Sequence, residues 1–252
     1  MQLEGKKLVA AMCIGQIGNL LPHVAVPAVM VQHLIPLWGL SASEAGLMAS
    51  AFSIGYMLSV PVLATMTDRV DSRLILLAGS PLSALATCAF GLFADGLASA
   101  TVLWGLAGVG FAGSYMPGLK ALTDRLGPGD LSRSVTLYTS SFSLGVGLSF
   151  LVAQLVADRL GWRVAFFVVA LGPLAMIGAA LRMRAVEILA SSAQPLLNFG
   201  PVFRNRTAMG YILGYGAHCF ELAGFRIWIV AFWAYVAARH GGDAILDPIA
   251  LR

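Results

Sequence analysis

The stretch that decides the fold reads GLMASAFSIGYMLSVPVLATM over Gly46–Met66, then Thr67-Asp68-Arg69-Val70-Asp71-Ser72-Arg73, then LILLAGSPLSALATCAFGLFA over Leu74–Ala94. Two uncharged apolar runs flank one short charged loop. A helix needs ~20 apolar residues to cross the hydrocarbon core, and each run supplies them. Neither run alternates apolar and polar residues, as the ~10-residue strands of a membrane barrel do. Backbone groups in lipid must bond within their own segment or in a closed barrel. The pair therefore reads as two spanning helices joined by a tight loop.

Working outward, the same pattern recurs. Apolar runs cover approximately 8–31, 46–66, 74–94, 99–119, 134–157, 163–184 and 208–238, with most of the charge between them. Hydrophobic residues make up 58% of the chain and charged ones 11%, with a mean hydropathy of +0.82. A soluble domain carries roughly 25% charged residues, and one core could not hide so much apolar surface. The expected class is an all-α polytopic membrane protein of about seven transmembrane helices, with the lipid bilayer as solvent. The basic residues sit in short clusters rather than on one stripe, so nucleic acid is not an expected partner. Cys13, Cys88 and Cys219 fall inside apolar runs, too far apart for a metal motif, and read as packing residues. The run after Lys6 and Lys7 is too long for a secretory signal, whose apolar core spans ~7–15 residues, and reads as a retained first span.

Orientation follows the Lys/Arg bias. An inside amino terminus places Lys6, Lys7, Arg69, Arg73, Lys120, Arg125, Arg133, Arg182, Arg184, Arg204 and Arg206 on inside loops. It leaves only Arg159, Arg163, Arg239 and Arg252 outside. An integral inner or plasma membrane protein with a cytoplasmic amino terminus is expected. The organisation is a six-helix transmembrane bundle over 1–184, a cytoplasmic linker over 185–207, and a further helix with a tail over 208–252.

Local motifs sharpen this reading. In Ala64-Thr65-Met66-Thr67-Asp68-Arg69-Val70-Asp71-Ser72-Arg73 the chain resembles the major facilitator superfamily, whose motif in this loop is G-x-x-x-D-R-x-G-R-[RK]. Asp68, Arg69 and Arg73 match; Ala64 and Asp71 replace glycines, and Ser72 replaces an arginine. Leu122-Thr123-Asp124-Arg125-Leu126-Gly127-Pro128 after the fourth run is similar to the acidic–basic pair and turn found there in the family. Gly161-Trp162-Arg163 before the sixth run resembles a frequent family mark. Some family features are absent: Gly145-Val146-Gly147-Leu148-Ser149 has no proline, Thr101–Leu119 has no charge, and Gly46–Met66 has no arginine. These absences weaken drug–proton antiport and nitrate transport as specific readings. The resemblance implies a six-plus-six transporter, of which this chain would be the first bundle and the start of the second. The missing half would lie in the same longer chain or in a partner. It also implies that Asp68, Arg69, Arg73, Asp124 and Arg125 belong to a cytoplasmic gate that locks the two halves.

Polar groups at mid-membrane are costly, ~2.5–3.5 kcal/mol each for charges, and so mark candidate sites. The seventh run holds His218, Glu221 and Arg226. At 100° per residue, His218 lies about 60° from Glu221 and about 80° from Arg226 around the helix. Glu221 or His218 is a candidate proton-exchanging group, and Arg226 a candidate anion-attracting one; structural pairing with an unseen helix is the competing reading. The first run carries Gln16, Asn19 and His23 on one face, beside Pro22 and Pro27, which bend helices. Transporter sites lie beside broken helices, although interhelical hydrogen bonding explains the same residues. Tyr115 is a weaker candidate, as are Ser140, Ser141 and Ser143, whose hydroxyls in membrane helices usually bond their own backbone. Clustered glycines (Gly105, Gly108, Gly110 and Gly113, and Gly145 and Gly147) suit close helix approach.

No catalytic constellation, cofactor motif or metal motif stands out. The expected function is secondary active transport of a small polar or anionic organic solute by alternating access, with protons as candidate coupling ions. A seven-helix sensor or receptor and an inactive truncated half-transporter are the alternatives.

Overall fold

The computed structural model describes residues 3–187, 197 and 199–240. It contains α1 (Gly5–Leu20), α2 (Ala25–Val29), a π-helical turn (Met30–Leu34), α3 (Ile35–Trp38), α4 (Ala42–Met66) and α5 (Ser72–Phe93). Then follow α6 (Leu97–Ala112), α7 (Tyr115–Thr123), α8 (Pro128–Leu160), α9 (Trp162–Ala170), α10 (Pro173–Leu181), α11 (Gly200–Arg204) and α12 (Arg206–His240). The described residues hold six helices long and apolar enough to cross a membrane, and seven spans when the bent first pair counts as one. The contacts divide the chain into two compact units, Met1–Ser192 and Ala193–Arg252. The second unit contributes α11 and α12. The tail over 241–252 and most of 188–198 lie outside the described residues.

The spans match the apolar runs, with differences at their ends that have physical causes. The first span is two pieces, α1 and the α2–α3 segment, bent by 47°. Pro22 and Pro27 cannot donate to the helical ladder, and the turn between the pieces closes with short i→i−3 bonds from Leu21 to Gly18 and from His23 to Leu20. The fifth span begins at Pro128, before the apolar run, because Pro is preorganised for the first helical position. The sixth ends at Leu181, short of the predicted 184. The second opens on a capping box, Ser41 accepting from the Glu44 amide (3.3 Å) and Glu44 from the Ser41 amide (2.9 Å).

In the first unit, α6 packs against both α4 and α5, and α1 against α8 and α10. Missing side chains permit these approaches. A methyl at Gly108 would overlap the Phe52 carbonyl, and one at Gly110 the Ser83 amide. Gly18 and Gly172 press backbone to backbone across α1 and the turn before α10. At the end that carries the amino terminus, Leu8, Met12, Leu76, Leu122, Tyr138 and Met176 form one buried cluster drawn from five spans. At the opposite end the core is aromatic: Phe90 stacks on Phe166 at 4.2 Å, and Trp104 meets both.

The Gly-Trp-Arg turn has a structural task. Gly161 adopts φ +90°, which L side chains avoid. Arg163 then donates to the carbonyls of Gly91 (2.7 Å), Leu92 (3.0 Å) and Ala94 (3.2 Å). These are orphan groups at the end of α5, where a cation also suits the helix dipole. The guanidinium lies 4.6 Å from the Trp162 ring centre.

Candidate functional site

The break in the first span places its polar residues in two different environments. Gln16 and Asn19 are fully buried among helices. Gln16 Oε1 accepts from the Tyr138 hydroxyl (2.8 Å), and Asn19 Nδ2 donates to Ser80 Oγ (3.1 Å). These bonds join the first span to the fifth and the third, the interhelical arrangement that competed with a solute role. His23 lies in the break itself, between Leu20 and Ala25, and is half-buried. Its ring sits 5.1 Å from Phe52, 5.2 Å from Phe111 and 5.9 Å from Phe142. Three other spans thus each supply one aromatic ring to the imidazole. Tyr56 stands next to Phe111 (5.7 Å) and Tyr115 next to Phe142 (5.1 Å).

Tyr115 also stacks on Tyr138, 6.1 Å between centroids and 11° from parallel. The Tyr138 hydroxyl fits against Gly118, where any side chain would displace it. His23 and Tyr115 are therefore brought to one aromatic cluster, with Gln16 attached to it through Tyr138. Of the weaker candidates, Ser141 donates to the Tyr138 carbonyl of its own helix (2.6 Å), as expected. Sequence reasoning missed Phe52, Phe111, Phe142 and Tyr138, because an aromatic residue inside an apolar run looks the same whether it faces lipid or another ring.

The charged loops at the amino-terminal end hold a second constellation, centred on Asp71 rather than Asp68. Asp68 and Arg69 are exposed, and Asp124 pairs with Lys120 at 2.6 Å. Asp71 caps α5 by accepting from the Arg73 amide (2.9 Å). Both of its carboxylate oxygens accept from Arg125 Nη2 (2.7 and 2.9 Å), and Oδ2 also accepts from the Val186 amide (3.0 Å). Arg125, only 1% exposed in its side chain, donates further to the carbonyls of Ala121 (3.0 Å) and Arg184 (2.9 Å). Arg73 reaches the Met183 carbonyl (3.0 Å). Burial raises the Asp71 carboxyl, but the Arg125 hydrogen bond, the two amides and the Arg125 charge outweigh it and hold the group below the ordinary carboxylate value. Of the predicted gate residues, Arg73 and Arg125 join this network, while Asp68 and Asp124 lie outside it.

His218, Glu221 and Arg226 all lie on α12, in the second unit. Tyr215, one turn before His218, brings its ring to 6.4 Å from the imidazole. Among the described residues no group of three or more His, Cys, Asp or Glu could hold a metal ion.

A broken first span at a polar and aromatic cluster, inside a bundle of membrane-length helices with charged loops at one end, is the architecture of a polytopic helical membrane protein. The chain matches the family model of the Major Facilitator Superfamily over residues 8–249 and belongs to that family. It is 26% identical over 213 residues to a protein of Escherichia coli (strain K12) named a probable L-galactonate transporter. The match covers 77% of this chain and 46% of that relative, so the chain spans about half of its length.

Proposed function

We propose that this chain forms the first half and the opening helix of a secondary active transporter, which moves a small oxygen-rich organic anion by alternating access. The observation that carries the reading is the broken first span with His23 in its break, ringed by aromatic side chains from three other spans. Interrupted helices at the middle of a bundle are where transporters build sites. Galactonate, named for the relative, is a polyhydroxylated carboxylate. Arg226 on α12 supplies a cation for such a group, and His218 or Glu221 a proton. In this reading the amino terminus is cytoplasmic, which the Lys/Arg bias supports. A second set of spans completes the cavity.

The test is uptake of radiolabelled galactonate into proteoliposomes by the whole natural protein, with and without an imposed proton gradient. Arg226→Ala is expected to raise KM at least tenfold, and Glu221→Gln to abolish the response to the gradient. Normal uptake by both variants at normal expression removes the assigned roles.

A further inference from the structure

An interruption inside hydrocarbon releases backbone groups that water cannot reach, each costing several kcal/mol if left unsatisfied. In the first span two such groups bracket Pro22 and His23: the Leu21 carbonyl and the Val24 amide. One side chain on another helix takes both. Ser149 of α8 donates its hydroxyl to the Leu21 carbonyl (2.6 Å) and accepts from the Val24 N–H (3.2 Å). Ser149 is fully buried. A hydroxyl is donor and acceptor at once, and this site uses both capacities. Ser141, one turn-pair earlier on α8, follows the common habit of bonding its own helix; Ser149 does not.

The break cannot close by itself. Pro22 and Pro27 have no N–H for the ladder, and the helical partners of the two groups are engaged elsewhere: the Ala25 amide donates to the Pro22 carbonyl, and the Leu20 carbonyl accepts from the His23 amide. With the Ser149 hydroxyl gone, the Leu21 carbonyl and Val24 amide would have to find other partners, and the turn between them would have to move. That turn carries His23.

We infer that Ser149 is a positioning residue: it fixes the break in the first span and thereby holds the His23 imidazole within the Phe52, Phe111 and Phe142 rings. The inference rests on the transport reading for the importance of His23, but its geometry is testable without transport.

The experiment is NMR of the detergent-solubilised protein with carbon-13-labelled histidine, the His23 signals being assigned by their loss in His23→Gln. Ring currents from the three aromatic neighbours displace these signals from the free-histidine position. Ser149→Ala is expected to keep a cooperative thermal transition while the His23 signals move toward that position. The Val24 amide is expected to exchange with deuterium about fivefold faster, since a net hydrogen bond is worth ~1 kcal/mol. Ser149→Thr, which keeps the hydroxyl, restores both readouts. Unchanged His23 signals in Ser149→Ala overturn the inference, and so does an unprotected Val24 amide in the unaltered protein. If Ser149→Ala does not fold, Ser149→Cys, a weak donor and acceptor, replaces it with the same readouts. Displaced His23 signals together with normal galactonate uptake by Ser149→Ala and His23→Gln would uphold the positioning and remove His23 from the transport path.

Discussion

At Asp71 a carboxylate stands where the family motif has a glycine, and it gathers the Arg125 guanidinium and two backbone amides. Its removal strands a guanidinium that is almost completely buried. Breaking such a pair from one side costs about 3–5 kcal/mol, so Asp71→Ala is expected to lower the unfolding free energy by about 3 kcal/mol, measured by denaturant titration in detergent. Asp68→Ala, on an exposed residue, is expected to change it by under about 0.5 kcal/mol. The sign of the pH effect follows from a depressed carboxyl. Its stabilisation is present in full above the unfolded-chain value of ~3.9, and is lost as pH falls through the lower folded value. A melting curve followed from pH 6 downward should show this acid loss, and Asp71→Asn should reduce it. The sequence displayed Asp71 only as a departure from a pattern. Its partner lies 54 positions away, and no local spacing announces a pair at that distance.

Among the elements, spanning helices were legible because hydrocarbon imposes length and composition directly on the chain. Their ends were less so, since Pro128 and the carbonyls after Leu181 obey capping and hydrogen bonding rather than hydropathy. The glycines were visible as a group, but their partners were not: Gly108 faces the second span and Gly110 the third, while Gly147 meets nothing within 4 Å. Gly108→Ala is therefore expected to destabilise the protein by about 1–3 kcal/mol through overpacking against the Phe52 backbone. Gly147→Ala, on the same scale of chemical change, should be neutral or slightly stabilising, because it removes only helix-weakening flexibility. Thermal melts of the two single variants in one detergent check the contrast. Equal losses would mean that the close approach of α6 to α4 does not limit stability.

For the molecule as a whole, family membership and the all-helical architecture could be read from ordered marks along the chain. At the candidate site the polar residues of the first span could be read, but their neighbours could not: His23 and Tyr115 meet one aromatic cluster, Gln16 joins it through the Tyr138 hydroxyl, and Asn19 bonds Ser80. One-face periodicity identifies residues on the same side of a helix, not what that side meets. The hydrogen bonds at the amino-terminal end have an effect on inheritance. Arg73, Arg125 and Asp71 grip the main chain at Met183, Arg184 and Val186 and ignore the side chains. The letters at 184 and 186 are thus free to drift across generations: Arg184→Ala and Val186→Ala should be silent in growth and in melting. Only proline at 186, which has no N–H to offer, should be rejected. A deep mutational scan would then show position 186 tolerating nearly every spelling yet forbidding one residue.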